Sequence, residues 1–316
     1  MPRSTAERGA GSTTMAKTYL FTVGPSTPPA MTIDSGAEIE VTVDGAFDDI
    51  EDITQVPTPF TPASEGHPLA PVTGPIAVRG ARPGDSVAID LLSIEPFGEG
   101  ANAVLRDFGV LKEEFEEPAI VACPIRDGQA WFGDRVAIPL APNLGTLSTM
   151  PPEGYRPSHA GPYGGDFDQR DVGVGARVHL PVMVDDALIF MADPHAAISD
   201  GIISGTGVEC SARVRARIAL NKQSPVERPI FEQNGTVQIV GYGPSVEAAT
   251  EDASDAAVGL VSRWTGLTRR EAYMLLGIVG ELRIGTSPRP TMAARLIVDK
   301  GVLASAGWDG AIVPPA

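Results

Sequence analysis

Apolar and polar residues alternate along much of this chain, in short runs. Cys210, Ala212, Val214, Ala216, Ile218 and Leu220 alternate with Glu209, Ser211, Arg213, Arg215 and Arg217, a period of two that predicts a strand with one buried face. Comparable runs predict strands at 31–33, 38–43, 76–78, 86–94, 119–125, 130–132, 136–139, 176–181, 187–192, 207–220, 229–231 and 237–242. Turn residues punctuate them throughout, with 35 glycines and 29 prolines in the chain. Only towards the C-terminus does the period change. Val246, Ala249, Ala253, Ala257, Leu260, Val261 and Trp264 recur at helical spacing and predict a helix over 247–265. Thr268 with Glu271 three residues on reads as a capping box that opens a second helix over 268–282. Strands do not alternate with helices, and no G-x-G-x-x-G follows a strand, which excludes a Rossmann arrangement. The fold class is α+β, mainly β.

Charge narrows the partners. A net charge of −16 on 316 residues disfavours nucleic acid and anionic membrane surfaces, because the phosphate-neutralising contacts that drive such binding are missing. A small neutral or cationic substrate fits better. Residues 1–16 contain no apolar signal-peptide core and read as a disordered extension, with Met15 an alternative start; residues 306–316 read as a tail. No run approaches a membrane span, so a cytoplasmic protein is the expectation. Cys123 and Cys210 read as buried thiols and not as a disulfide.

The chemistry concentrates in Asp193-Pro-His195 and Asp200-Gly201, which follow the apolar run 187–192 and are expected in the loop at its end. Carboxylates with one imidazole suit a divalent cation, and an incomplete protein ligand set is what metal-assisted hydrolysis needs. A second segment lies upstream, Gly164-Gly165-Asp166-Phe167-Asp168. Together with Leu180-Pro-Val182, with Gly74-Pro-Ile-Ala-Val-Arg-Gly80-Ala-Arg-Pro-Gly84-Asp85, and with Pro142-Asn-Leu-Gly145 ahead of Pro151-Pro-Glu-Gly154, these segments resemble the acetamidase/formamidase family over residues 17–305. The resemblance implies a β-sandwich or barrel-like core with a smaller α+β part and closing helices. It also implies a hydrolase that cleaves the C–N bond of a small linear amide, a formamide or acetamide, to carboxylate and ammonia.

From it follow the expected roles. Asp193, His195 and Asp200 are expected to bind the metal, zinc first and calcium second, and His67 is a further candidate ligand. Asp168 and Glu209 are the catalytic carboxylates, although Glu209 also reads as one end of a solvated cross-strand ion pair. Gly164, Gly165, Asp166, Ile198 and Ile202 are expected to line the substrate. Of the other groups, His159 sits near Gly164, His179 reads as a surface residue, and Asp44, Asp48 and Asp49 form a second-tier acidic cluster. The Pro/Thr-rich loop 57–66 reads as a lid, a subunit-contact arm or a plain surface excursion.

Five positions depart from the family pattern. Ile198 and Ile202 stand where it has Gln and Glu, Asp166 where it has Asn, and Ser287-Pro288 where it has Val-Asp. The isoleucines remove hydrogen-bonding capacity and leave a greasier wall. Three outcomes remain open: a more apolar amide, altered catalysis, or a non-catalytic metal-binding paralogue. No G-x-S-x-G elbow supports a serine amidase. A helix apolar on nearly every side at 273–279 must be covered on every side, which with the resemblance points to a homodimer or higher homo-oligomer.

Overall fold

The computed structural model describes residues 13–14, 23–47, 70–133, 135–155, 159–286 and 290–313. In them the short alternating runs pair into one curled, half-barrel sheet of 18 strands, mainly β with few helices as the sequence pattern leads one to expect. Strands β1 (Thr13–Thr14), β2 (Met31–Ile33), β3 (Ala37–Val43), β4 (Thr73–Val78) and the long β5 (Ser86–Val104) come first. Beyond β5 an antiparallel arm runs through β6 (Ala119–Arg126), β7 (Gln129–Phe132) and β8 (Val136–Pro139). Then follow β9 (Asn143–Ser148), β10 (Ala160–Gly161), β11 (Gly164–Asp166), β12 (Arg177–Pro181), β13 (Ile189–His195) and β14 (Glu209–Asn221). The C-terminal layer holds β15 (Ile230–Gln233), β16 (Thr236–Gly243), β17 (Glu281–Thr286) and β18 (Met292–Asp299), with helices α1 (Val246–Thr265), α2 (Arg269–Val279) and α3 (Lys300–Ser305).

Strand β14 lies between β3 and β5 and behaves as its alternation predicts. Ala212, Val214, Ala216 and Ile218 are buried in the main core with Ile39, Val41, Val87 and Ile89. On the outer face Arg213 pairs with Glu95, and Arg215 and Arg217 pair with Glu38, so these charges keep the face wetted. His179 corrects the sequence reading. It is 5% exposed, and its Nε2 lies 2.7 Å from Glu232 Oε1 of the neighbouring β15.

In the C-terminal layer α1 lies against β16 and β18, where Gly241 and Gly243 leave space for Ala249 and Ala253. Ser245 caps the start of α1, and Gly266, at φ 74°, ends it in the left-handed conformation that glycine adopts without penalty. The capping box of Thr268 and Glu271 forms as expected. Yet α2 stops at Val279, not at 282, because Gly280 interrupts it and 281–286 then pairs with β18 as a strand. Neither β17, β18 nor α3 was anticipated. On α2 only Ala272 and Leu276 are buried, while Tyr273, Met274 and Ile278 are 67%, 64% and 82% exposed.

Candidate metal centre

Strand β13 carries the Asp-Pro-His segment inside the sheet, not in a loop beyond it: residues 189–195 are all buried. The ladder to β9 pairs Ala192 with Thr146 and Pro194 with Leu144, which leaves Asp193 facing Gly145. Asp193 holds φ 57°, a left-handed backbone that short polar residues tolerate, and so turns its carboxylate off the strand. From the other side, β11 pairs with β9, and the amides of Phe167 and Asp168 both donate to the Gly145 carbonyl at 3.1 Å. Asp168 is also left-handed, at φ 41°. Two strands thus deliver carboxylates over the one residue of β9 that lacks a side chain. A Cβ on Gly145 would lie 2.5 Å from Asp168 Oδ1, 2.6 Å from Asp193 Oδ2 and 2.8 Å from His195 Cε1.

Ligand atoms of Asp168, Asp193 and His195 all lie within 4.8 Å of one another; among the described residues this is the cluster that could hold a metal ion. Glu209 completes the surroundings from β14, where it pairs with His195 across the ladder. Its Oε1 accepts from the Gly207 amide at 2.6 Å and stands 3.2 Å from His195 Nε2, while Asp193 Oδ2 is 3.7 Å from the same nitrogen. All four residues are at most 6% exposed. Burial and the charge of Glu209 hold the Asp193 carboxyl well above the usual carboxylate range, although His195 acts the other way. Burial pulls the His195 imidazole down, but Glu209, Asp193 and Asp168 outweigh it and push it up to about 10.

These groups fit a dication. Three carboxylates crowd one imidazole in a buried site, a concentration of negative charge that a cation would relieve. Neither His195 ring nitrogen nor Glu209 Oε2 has a well-aligned hydrogen-bond partner. Such orphaned buried polar atoms are rare unless an ion or solvent serves them.

A model of the acetamidase/formamidase family matches residues 23–160 and 146–287. The chain belongs to that family. Among solved structures it is similar to an acetamidase from Bacillus halodurans, with 27% identity, TM-score 0.85, and 93% of this chain and 100% of that one covered. It is equally similar to an acetamidase from Yersinia enterocolitica, with 27% identity, TM-score 0.84, and 93% and 94% covered. No curated protein matches.

Within this family member the expected site residues divide. Asp168, Asp193, His195 and Glu209 come together. Asp200 does not join them: its Oδ1 accepts from Arg295 at 2.7 Å, and the neighbouring Gly201 amide donates to Gly285 at 2.9 Å, so the loop leans towards the C-terminal layer. Asp168, expected as a catalytic carboxylate, stands instead in the cluster that could hold an ion, where Asp200 was expected. Gly164 and Gly165 sit in β11 at φ 102° and 96°, where backbone of Leu147 on one side and His159 on the other leaves no room for Cβ. That close passage accounts for both glycines. Asp166 is buried beside the cluster, and its charge is felt at Asp193. Ile198 packs its Cγ2 over Gly207 beside the His195 ring, and Ile202 is 3% exposed at φ 35°. That conformation is strained for a β-branched residue, on the order of 1–3 kcal/mol. His67, Asp48, Asp49, the loop 57–66 and Ser287-Pro288 lie outside the described residues. No described helix is long and apolar enough to cross a membrane.

Sequence reasoning missed three contributors. Gly145 and Gly207 act through missing side chains, and although Gly145 ends the Pro142-Asn-Leu-Gly145 segment, nothing there marks it as part of the site. Arg295 does carry one, as a lone charge inside the apolar run Met292–Val298.

Proposed function

We propose that this protein hydrolyses the C–N bond of a small linear amide at the Asp168, Asp193 and His195 centre, with a divalent cation, zinc before calcium. The observation that carries the reading is the buried excess of carboxylate around His195 over Gly145, in a chain of the acetamidase/formamidase family. When bound, the cation supplies Lewis acidity towards the amide carbonyl and towards water. Asp168, Asp193 and His195 would hold it. Glu209 would act as general base, taking a proton from water and returning it to the leaving amine, a reading supported by its buried Oε2, which has no hydrogen-bond partner. Ile198 and Ile202 favour a substrate with a short apolar tail over formamide itself. Ammonia release from a panel of one- to six-carbon amides, with zinc or calcium supplied, is the test, and turnover of at least one linear amide is expected. Silence across the panel from metal-loaded protein would favour the second reading, a metal-binding paralogue without catalysis, which Ile198 beside His195 supports.

Assembly belongs to the same proposal. Tyr273, Met274 and Ile278 of α2 and Leu282 and Ile284 of β17 lie at least 36% exposed, more apolar surface than a lone chain covers well. A homodimer or higher symmetric oligomer would cover it. Light scattering at micromolar concentration is expected to return at least twice the 33.0 kDa chain mass, and a monomer mass would sink the idea.

A further inference from the structure

The residue that links the C-terminal layer to the centre is Arg295. It is fully buried in β18, and its guanidinium reaches two separate segments that carry site residues. Nη1 donates to Gln169 Oε1, directly after Asp168 in the chain. Nη2 donates to Asp171 Oδ2 at 3.1 Å and to Asp200 Oδ1 at 2.7 Å, the latter on the loop between His195 and Ile202. Supporting contacts converge on the same point. Gln238 Nε2 donates to Asp171 Oδ2 at 3.1 Å, Arg283 stands 3.8 Å from Asp171 and 3.9 Å from Asp200, and Gly285 lacks a side chain where the Gln169 amide lies. The Gln169 carbonyl in turn accepts from Asn143 Nδ2 at 3.2 Å, and Asn143 is the ladder partner of His195.

A guanidinium taken fully out of water is expensive, and here that cost is met by three acceptors, on Gln169, Asp171 and Asp200. The fork geometry of the guanidinium can hold several acceptors at fixed angles, which an ammonium cannot. We propose that Arg295 is a positioning residue: it locks the Asp168–Asp171 segment and the 196–202 loop in register with each other, and so sets the place of the Asp168 carboxylate against His195 and of Ile198 and Ile202 beside it. The inference rests on the metal-centre reading.

The test compares the full-length wild type with Arg295→Met, Arg295→Lys, Arg295→Ala and Gln169→Leu. Zinc affinity is measured by chelator competition and unfolding by circular dichroism. Arg295→Met is expected to keep the fold and to weaken zinc binding about 10–100-fold, the usual cost of losing a group that orients a ligand. If an amide is turned over, kcat falls with KM nearly unchanged. Arg295→Lys restores little, whereas methylguanidinium added to Arg295→Ala restores part of the zinc affinity; a merely structural role would instead lower the unfolding transition and leave the zinc affinity of the folded protein unchanged. Should Arg295→Met fail to fold, Gln169→Leu carries the test, with at least a tenfold loss expected. Zinc affinity within threefold of wild type in a folded Arg295→Met or Gln169→Leu variant overturns the proposal alone. A wild type that binds neither zinc nor calcium overturns the metal-centre reading and this inference with it.

Discussion

Replacing Gly145 by alanine is expected to abolish metal binding and with it any hydrolysis, while leaving the sheet intact. The added methyl would stand between 2.5 and 2.8 Å from Asp168 Oδ1, Asp193 Oδ2 and His195 Cε1, closer than real Cβ contacts allow. None of the three can retreat easily, since each is buried and two sit on left-handed backbone. Space and not conformation is the constraint, because Gly145 is an ordinary member of β9. Overpacking of this kind typically costs about 1–3 kcal/mol of stability. Displacing a reacting or ligating group by about 1 Å costs about 100-fold in rate or more. Activity is therefore expected to drop at least 100-fold with an unfolding transition that is lowered but still cooperative. A full equivalent of tightly bound zinc on Gly145→Ala protein would refute the role given to this residue.

Much of the architecture was legible in the sequence because it depends on local pattern. The alternation of β14 follows from one buried face, and α1 and the start of α2 follow from apolar spacing and the Thr268 capping box. Where the reading failed, a partner distant in sequence decided the outcome. The Asp-Pro-His segment looked like a loop because aspartate and proline disfavour strands. It is a strand because β9 pairs along it and Asp193 turns left-handed opposite a glycine. His179 looked exposed by alternation, yet it is buried against Glu232 of β15, 53 residues further on. Asp200 looked like a ligand because it is near His195 along the chain, but the loop between them is drawn away by Arg295, 95 residues further on. The candidate site was legible as a set of residue types. Which carboxylate joins His195 was not, since that depends on the bare patch at Gly145, a feature defined by what two neighbouring strands place there.

The same crowding makes an opposite-signed prediction for Asp193→Asn. Asparagine accepts the left-handed backbone at φ 57° as readily as aspartate and has nearly the same shape, so the change removes charge and little else. In the metal-free protein that charge is a burden. Asp193 is 6% exposed, stands 3.7 Å from His195 Nε2 and faces the further carboxylates of Glu209 and Asp168. The imidazole is one partner for three acidic groups, so removing one of them relieves more repulsion than it loses in attraction. Metal-free Asp193→Asn protein is therefore expected to be more stable than metal-free wild type at neutral pH, by about 1 kcal/mol or more. With zinc supplied the order reverses, because a neutral amide is a poor ligand and binding to the native state is itself stabilising. Zinc affinity is expected to fall at least 100-fold, on the scale of a lost direct ligand exceeding that of a lost orienting group. Parallel denaturant titrations with chelator and with zinc read both signs in one experiment. If Asp193→Asn is destabilised without metal, the carboxylates are balanced by the protein itself, and the case for a resident cation at this centre loses its main physical support.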